Sequence, residues 1–288
     1  MTSLLARRAD LDELGRPAGR TAVVMTMGAL HEGHAALVRV GRGIVGADGR
    51  VLVTVFVNPR QFGAGEDYSR YPRSLEADVA IAGEAGADAV FAPDVTEVYP
   101  PEGTPAASIS VDPGPLGDEL EGASRPGHFT GVLTVVAKLL HLTRPDVALF
   151  GEKDYQPLVL IRAMARALDF PVDVVGVPTV READGLAMSS RNRYLSSAAR
   201  GAASAIPRAL RVGQENAAAG AQAVEDVVRR ALDEAAAGAA LPMSVDYVAV
   251  RSLDLGAPPQ SGEARLLAAV IVDGTRLLDN VPLVLGAP

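Results

Sequence analysis

The chain of 288 residues contains no cysteine and no tryptophan. The absence of cysteine excludes disulfide bonds, thiolate nucleophiles and cysteine-ligated zinc, and it is consistent with a reducing compartment. Aromatic residues make up only 4% of the chain, so a platform for stacking single-stranded nucleic acid is not expected. Several classes of enzyme and of nucleic-acid binder are therefore removed at the outset.

Positive charge and long apolar runs are also in short supply. Lys and Arg number 27 against 35 Asp and Glu, for a formal net charge of −8. Binding of duplex DNA relies on a positive field, so nucleic acid is not an expected partner. No uncharged apolar run approaches the ~18 residues of a membrane span, and residues 1–15 are charged and unlike a signal peptide. We therefore expect a cytoplasmic protein with no membrane partner.

What the chain does contain is an ordinary globular composition, with 48% hydrophobic and 22% charged residues. Residues 50–57 are β-branched and nearly all apolar, which suits a parallel strand covered on both faces. Further strands are predicted over 21–26, 89–92, 147–150 and 172–177, and helices over 31–40, 75–84, 130–143 and 157–168. Such alternation predicts an α/β fold, a Rossmann-like, doubly wound parallel sheet.

The pattern changes after about residue 180. Alanine-rich helices are predicted over 196–211 and 220–237, followed by strands over 244–250 and 265–272. The pair Asp273-Gly274 is a strong signal for a two-residue hairpin. We therefore predict two domains: a Rossmann-like domain over 1–178 and a smaller C-terminal α+β domain over 179–288.

The first predicted strand runs into a turn that holds two of the four histidines. This turn contains Met27, Gly28, Ala29, Leu30, His31, Glu32, Gly33 and His34. His31 and His34 lie three residues apart at the start of a predicted helix, whose free N–H groups and dipole favour an anion. Imidazolium donors there are suited to phosphate oxygens, so we predict a phosphate site. The alternative is an ordinary surface pair of histidines.

Neutral polar side chains follow the strand over 50–57. Asn58 and Gln61 stand at its carboxyl end, where ligands bind in parallel sheets, and their amides suit a small polar substrate. A plain Asn-Pro turn is the alternative, and these residues alone do not decide between the two. Tyr71 and Asp78 follow along the chain and could reach the same cleft.

Two later segments offer groups for a nucleotide. The strand over 147–150 leads into a segment that contains Gly151, Glu152, Lys153, Asp154 and Gln156. Its glycine, lysine and aspartate could serve the phosphate and ribose of a nucleotide, although this is not a Walker A loop. A second motif lies near the domain boundary, and its two serine hydroxyls and one arginine guanidinium are good donors to phosphate oxygens. That motif consists of Met188, Ser189, Ser190 and Arg191. A capped helix start and a polar linker are the respective alternatives.

The remaining histidines carry weaker signals. His128 follows a loop and could line the cleft, whereas His141 lies in an apolar helix and is expected to pack in the core. No metal cage of protein ligands is evident, and any Mg²⁺ is expected to arrive on nucleotide phosphates.

In their order along the chain, these segments resemble the pantoate–β-alanine ligase family of H-x-G-H nucleotidyltransferases. The resemblance is carried by residues 26–34, 56–62, 71–73, 128–132, 151–156 and 188–194. It implies an enzyme that ligates pantoate to β-alanine through a pantoyl adenylate, consuming ATP and releasing AMP and pyrophosphate. It also implies a homodimer. Because an acyl adenylate hydrolyses if water enters, we expect the second domain to close over the first as a lid. The H-x-G-H motif alone marks only the wider nucleotidyltransferase group.

The resemblance also implies roles for individual residues. ATP contacts fall on Met27–His34, on Gly151–Asp154, on Val180 and on Met188–Arg191. Pantoate contacts fall on Met27, Asn58, Gln61 and Gln156, and Gln61 also contacts β-alanine. The implied catalytic groups are His31, His34, Lys153 and Arg191, with His34 acting as proton donor or, equally, as charge stabiliser.

The sequence departs from the family pattern at two positions. Met25 stands where the family usually has proline, and Pro157 stands where the family has a second glutamine. Proline offers no amide, so we expect that pantoate binds more weakly or that Gln156 or a water replaces the contact. Two other functions stay open: a different H-x-G-H nucleotidyltransferase that leaves the nucleotidyl group on its acceptor, and a nucleotide-binding protein without turnover.

Overall fold

In a computed structural model, which describes residues 2–63 and 66–286, the chain divides into two compact units. The first unit extends to Pro178, except that Lys153–Tyr155 group with the second unit, which resumes at Thr179. Two hydrogen bonds account for this grouping: Asn280 Nδ2 donates to the Lys153 carbonyl at 2.8 Å, and the Tyr155 hydroxyl donates to the Leu253 carbonyl at 3.0 Å.

The first unit is built on a six-stranded sheet in the order β1-β4-β3-β2-β5-β6, with every neighbouring pair parallel. The strands are β1 (Ser3–Leu5), β2 (Thr21–Thr26), β3 (Arg50–Val55), β4 (Ala89–Phe91), β5 (Val147–Gly151) and β6 (Asp173–Val177). The predicted doubly wound sheet is confirmed. Strand β1 was not predicted, because three residues are too few to show a periodic pattern.

Helices cover both faces of this sheet. They are α1 (Arg8–Glu13), α2 (Glu32–Val45), α3 (Leu75–Glu84), α4 (Val95–Val98), α5 (Glu121–Ser124), α6 (His128–Thr143) and α7 (Tyr155–Ala167). Val23 of β2 packs in one core cluster with residues of α6 and α7, while its neighbour Val24 packs in another with residues of α2 and α3. Because both faces are buried, the central strands are apolar almost throughout.

Helix α2 extends to Val45, five residues beyond the predicted end at residue 40. The glycine at position 41 looks like a stop signal but serves packing, since a Cβ added there would lie 3.2 Å from Leu149 Cδ1. Helix α6 starts at His128, so this histidine opens a helix rather than ending a loop. The prediction that His141 packs in the core was wrong: it is exposed, because its neighbours Leu139 and Leu140 take the core face.

The second unit places helices against a three-stranded antiparallel sheet, as predicted. Its elements are α8 (Ser197–Ala203), α9 (Ala205–Glu215), α10 (Ala221–Gly238), β7 (Met243–Arg251), β8 (Gly262–Val272) and β9 (Thr275–Leu285). The predicted helix over 196–211 is two helices, because Pro207 lacks the N–H that would continue the ladder. The hairpin at Asp273-Gly274 is confirmed, with φ values of 47° and 75°. No helix in the described part of the chain is long and apolar enough to cross a membrane.

Short 3-10 turns complete the two units. They are Pro59–Gln61, Asp67–Ser69, Pro105–Ser108, Pro115–Asp118, Ser190–Tyr194 and Ala217–Ala219. Two of them, Pro59–Gln61 and Ser190–Tyr194, fall within motifs that the sequence singled out.

Candidate active site

The turn between β2 and α2 has an unusual backbone. Gly28 and the following Ala29 both have positive φ, at 82° and 52°. A non-glycine residue in this left-handed region costs about 1–2 kcal/mol. Thr26 supports the turn, because its hydroxyl donates to the Thr54 carbonyl at 2.7 Å and accepts from Gly28 N at 3.1 Å. The H-x-G-H segment is therefore presented by a turn that other parts of the fold must hold.

A buried carboxylate forms two hydrogen bonds with the main chain of this turn. Asp78, in the first turn of α3, is 1% exposed and accepts from Ala29 N at 3.0 Å and from Leu30 N at 2.8 Å. From their place in the sequence, Asp78 and Tyr71 could both reach the cleft. Asp78 instead faces the backbone of the turn, while Tyr71 is buried with its ring edge against Phe62 at 5.9 Å between centroids.

The two histidines cap α2 reciprocally. His31 Nδ1 accepts from Gly33 N at 3.1 Å, and His34 Nδ1 accepts from His31 N at 3.3 Å. A ring nitrogen that accepts a hydrogen bond carries no proton, so these contacts assign the proton of each neutral ring to Nε2. The rings lie 4.1 Å apart between centroids. Both Nδ1 atoms thus act as hydrogen-bond acceptors, which leaves Nε2 as the protonated nitrogen of each ring in its neutral form.

Beyond β3, Asn58 organises the second predicted motif. It is 1% exposed, and its Nδ2 donates to Gln61 Oε1 and to the Gly131 carbonyl, both at 3.1 Å. Its Oδ1 accepts from the Tyr99 hydroxyl at 2.8 Å and from the main chain of the turn. The amide of Asn58 is fully used by the protein, so its direct part in the site is to orient Gln61.

Gln61 links the two motifs. Its Nε2 lies 2.9 Å from Met27 Sδ, which brings together the residues that follow β2 and β3. The fold thus confirms that these two strands end side by side, since β2 and β3 pair in parallel with Thr26 opposite Val55. Met27 and Gln61 are therefore neighbours, as a shared small-molecule site requires.

A network that the sequence did not reveal fixes the main chain of Gln61. The Gln61 carbonyl can only accept, so His128 Nδ1, at 2.8 Å, donates to it, and His128 Nε2 then accepts from Arg125 Nη1 at 3.0 Å. Arg125 Nε in turn donates to Glu66 Oε1 at 2.8 Å. The Arg125 guanidinium holds the pKa of the Glu66 carboxyl below its ordinary value. Sequence analysis pointed to His128 but not to this network, because Gln61 and Glu66 lie 67 and 59 residues from His128 and Arg125, their respective partners.

Gln156 is 2% exposed and is engaged by a neighbouring loop. Its Oε1 accepts from Glu121 N at 3.0 Å, and its Nε2 donates to the carbonyls of Leu116 at 2.8 Å and Glu119 at 2.9 Å. An amide oxygen has two lone pairs, so Oε1 retains one for a further donor. Pro157, the third residue of α7, occupies a helix start where a missing N–H leaves no hydrogen bond unmade.

In the second unit, a hydrogen bond from strand β9 holds the segment that contains Lys153 and Asp154. Lys153 Nζ lies 3.2 Å from Asp154 Oδ1, and Asn280 Nδ2 holds the Lys153 carbonyl. Asn280 Oδ1 accepts from Arg265 Nε at 2.6 Å, and the same guanidinium covers the Tyr155 ring at 4.3 Å. Lys153 is therefore fixed at its main chain by residues more than a hundred positions away.

The last predicted motif also lies in the second unit. Met188 N donates to the Val180 carbonyl at 2.9 Å, so the two residues named for ATP are adjacent. Ser189 caps the 3-10 turn Ser190–Tyr194, and its Oγ accepts from Arg191 N at 3.3 Å. The motif is thus an ordered turn rather than an extended linker.

The fold and these motifs define a class of protein: an α/β protein whose H-x-G-H turn follows a central parallel strand, as in nucleotidyltransferases. The model of the pantoate-beta-alanine ligase family matches residues 3–282. The chain is 53% identical over 314 residues to the pantothenate synthetase of Streptomyces coelicolor, covering 93% of this chain and 92% of that protein.

Solved structures agree with this match. Pantothenate synthetase from Thermus thermophilus is similar with a TM-score of 0.87 and 45% identity, over 97% of this chain and 99% of that one. The pantoate-beta-alanine ligase of Francisella tularensis, solved with beta-gamma ATP and β-alanine, has a TM-score of 0.79 and 28% identity, over 98% and 97%. The chain therefore belongs to the pantoate–β-alanine ligase family, and the prediction of an enzyme of this class is confirmed.

Proposed function

We propose that this enzyme joins pantoate to β-alanine at the expense of ATP through a pantoyl adenylate. The observation that carries the proposal is the family match over residues 3–282. The H-x-G-H turn at the carboxyl end of β2 gives that match a chemical basis, because it presents two imidazole donors. Binding of ATP and β-alanine by a related ligase supports the same substrates here.

The reaction has two bond exchanges. In the first, a carboxylate oxygen of pantoate bonds to the α-phosphorus of ATP while the bond to the pyrophosphate oxygen breaks. In the second, the β-alanine ammonium loses one proton to solvent and the resulting amine attacks the acyl carbon. AMP leaves with the former carboxylate oxygen, and the nitrogen loses a second proton as the amide forms. The acyl adenylate hydrolyses if water reaches it, so a closing second domain has a use.

His31 and His34 are assigned to the charge that moves onto the departing pyrophosphate. Their Nε2–H groups are donors of the kind that stabilise developing oxyanions. Protonation at Nδ1 would break the hydrogen bonds that cap α2, so the neutral state suits this role. We therefore assign His34 as a charge stabiliser rather than as a proton donor. The remaining residues of Met27–His34 are assigned to ATP contacts by the same proposal.

Pantoate is assigned to Gln61 and Met27, and β-alanine to Gln61. Support comes from the side chain of Gln61, which Asn58 orients and which lies against Met27. Asn58 and Gln156 act mainly by shaping the pocket, because the protein uses most of their hydrogen-bonding capacity. Gln156 Oε1 retains one lone pair for the hydroxyl of a substrate or a water.

Further ATP contacts are assigned to Gly151 and Glu152 at the end of β5 and to residues of the second unit. The latter are Lys153, Asp154, Val180, Met188, Ser189, Ser190 and Arg191. The ammonium of Lys153 and the guanidinium of Arg191 suit phosphate oxygens. The ordered turn over Ser190–Tyr194 supports a fixed position for Arg191.

Magnesium enters this proposal together with ATP. Within residues 2–63 and 66–286, no group of three or more His, Asp or Glu side chains is arranged to hold a metal ion. Mg²⁺ loses its waters reluctantly and commonly rides on substrate phosphates. The residues named above then bind the phosphates, and the ion offsets part of their charge.

Two assays of product formation test the reaction. ATP–pyrophosphate exchange is expected to require pantoate but not β-alanine, and AMP is expected only when both are present. Exchange without pantoate would contradict the proposal. An adenylyl group that stays on its acceptor would favour a different nucleotidyltransferase, and ATP binding with no AMP would favour a protein without turnover.

The same family resemblance supports a homodimer in the cytoplasm, where ATP is available. Size-exclusion chromatography with light-scattering detection is expected to give a mass of roughly twice the 29.8 kDa of one chain. A mass of one chain would contradict the dimer and leave the proposed reaction untouched.

A further inference from the structure

We propose that Asp78 is a positioning residue for the reaction, because its buried carboxylate holds the turn Gly28–Leu30 in the conformation that presents His31 and His34. The inference rests on the proposed function, since it is the reaction that gives the histidines their role. Asp78 itself touches no reacting atom in this account. It acts through the main chain of the turn.

The Asp78 carboxylate is the acceptor in each hydrogen bond that its side chain forms. Its Oδ2 accepts from Ala29 N at 3.0 Å, and its Oδ1 accepts from Leu30 N at 2.8 Å and from the Ser74 hydroxyl at 3.3 Å. Every one of these contacts needs an acceptor, and an ionised carboxylate is an acceptor at both oxygens. With 1% of Asp78 exposed, water does not replace these contacts.

The turn needs such a partner because its backbone is strained. Ala29 has a positive φ of 52°, a conformation that persists only where the surroundings impose it. Space is also limited at the preceding glycine: a Cβ on Gly28 would lie 2.9 Å from Asp78 Oδ2 and 3.0 Å from Val55 Cγ1. The carboxylate therefore packs directly against the turn and fixes two successive N–H groups.

The position of the turn determines the positions of His31 and His34. Leu30, whose N–H is held by Asp78, immediately precedes His31, and His31 N donates to His34 Nδ1. A shift at Leu30 would move the N-terminus of α2 and both imidazoles with it. Because a misplacement of about 1 Å can cost on the order of 10²-fold in rate, the carboxylate is coupled to turnover without contacting substrate.

A second carboxylate, which accepts from the main chain at the other end of β2, offers a matched control. Asp146 Oδ2 accepts from Thr21 N at 2.6 Å, at the opposite end of β2, and Asp146 is exposed. Asp78→Asn and Asp146→Asn thus make the same chemical change in two carboxylates that accept from the main chain near opposite ends of β2. In each, an amide NH₂ replaces one acceptor oxygen and can face a main-chain N–H.

The experiment measures pantoate-dependent ATP–pyrophosphate exchange by the full chain. Asp78→Asn is expected to lower kcat by about 10²-fold with the KM for pantoate changed less than about threefold, since the pocket around Gln61 is untouched. Asp146→Asn is expected to stay within about twofold of the wild type, because water replaces an exposed contact. Adding Ala29→Gly to Asp78→Asn is expected to restore part of kcat, since glycine accepts the left-handed backbone freely.

Several outcomes would overturn the inference. An Asp78→Asn enzyme that folds and works within about threefold of the wild type would do so, as would equal losses for both aspartate variants. If Asp78→Asn does not fold, Ser74→Ala removes only the hydroxyl contact and is expected to lower kcat by about two- to fivefold. No loss in Ser74→Ala would then overturn it. A wild-type enzyme without pantoate-dependent exchange would instead overturn the proposed function.

Discussion

The two edges of the parallel sheet solve the same problem in different ways. At the amino edge, the exposed carboxylates of Asp146 and Asp88 accept from Thr21 N at 2.6 Å and Val51 N at 2.7 Å. At the carboxyl edge, the buried side chains of Asp78 and Asn58 accept from or donate to the main chain. The contacts are chemically alike, but at the carboxyl edge the side chains that make them are buried, whereas at the amino edge they are exposed.

This difference in burial determines how much the loss of one hydrogen bond costs at each edge. Water replaces a lost hydrogen bond at an exposed edge, so a single contact there contributes little. A buried donor left without its acceptor costs about 1–3 kcal/mol. The carboxyl edge, where the H-x-G-H turn and Gln61 lie, is therefore the edge at which one substitution is felt most. The predictions below compare the two edges.

The largest effect is expected at His34. Replacing His34 by alanine removes one Nε2–H donor at the carboxyl edge and should lower the rate of pantoate-dependent ATP–pyrophosphate exchange by about 10²-fold or more. His141→Ala is the control, since this histidine is exposed near the end of α6. A His34→Ala enzyme as active as the control would end the catalytic role of the turn.

Tyr99 makes the buried edge sensitive to base. Burial raises the pKa of the Tyr99 hydroxyl to about 12, above its value of about 10 in the unfolded chain. The neutral hydroxyl is therefore favoured by folding, and this contribution is complete below pH 10 and is lost as the pH rises toward 12. The free energy of unfolding is expected to fall by roughly 2–3 kcal/mol over that interval on account of this group.

Tyr99→Phe isolates that contribution. The variant should be about 1 kcal/mol less stable at pH 7, because Asn58 Oδ1 loses the 2.8 Å hydrogen bond from the Tyr99 hydroxyl. Its stability should fall less steeply than that of the wild type between pH 10 and 12. Urea unfolding at several pH values measures both quantities, and parallel curves for the two proteins would refute the assignment.

A smaller effect is expected at Pro157. Pro157→Gln supplies the amide that the family pattern has at this position, and one added hydrogen bond of about 1 kcal/mol corresponds to a roughly fivefold lower KM for pantoate. The KM for ATP should not change. A higher KM for pantoate would show that the proline shapes the pocket in this enzyme.

The smallest effect is expected at the amino edge. Asp88→Asn weakens a partly buried contact to Val51 N and the ion pair of Asp88 with Arg42, and it should lower the free energy of unfolding by about 1 kcal/mol or less. Exchange activity should stay within about twofold of the wild type. A loss above about 2 kcal/mol in urea unfolding would remove the distinction between the edges.

Local sequence patterns predicted most of the helices and strands but few of the contacts that position the site residues. The run over 50–57, the helix starting near His31 and the hairpin at Asp273 follow from periodicity and turn chemistry within a few residues. The contacts that position the site are distant in sequence. Asp78 lies 49 residues from Ala29, and Asn280 lies 127 residues from Lys153.

Gln156 shows the same limit in a different form. The family resemblance implies a pantoate contact for Gln156, and in the structure three hydrogen bonds tie this side chain to residues 116–121. Sequence reveals which groups can form hydrogen bonds and not which of those groups the protein itself already occupies. His141 failed for a related reason, because an apolar helix still has one face toward solvent.

The transfer of oxygen from pantoate to AMP tests the central claim most directly. Pantoate labelled with ¹⁸O in its carboxylate is incubated with ATP, β-alanine and the enzyme, and the AMP is analysed by mass spectrometry. The proposed attack of the carboxylate on the α-phosphorus predicts one ¹⁸O atom in each AMP formed. AMP without the label would contradict a pantoyl adenylate.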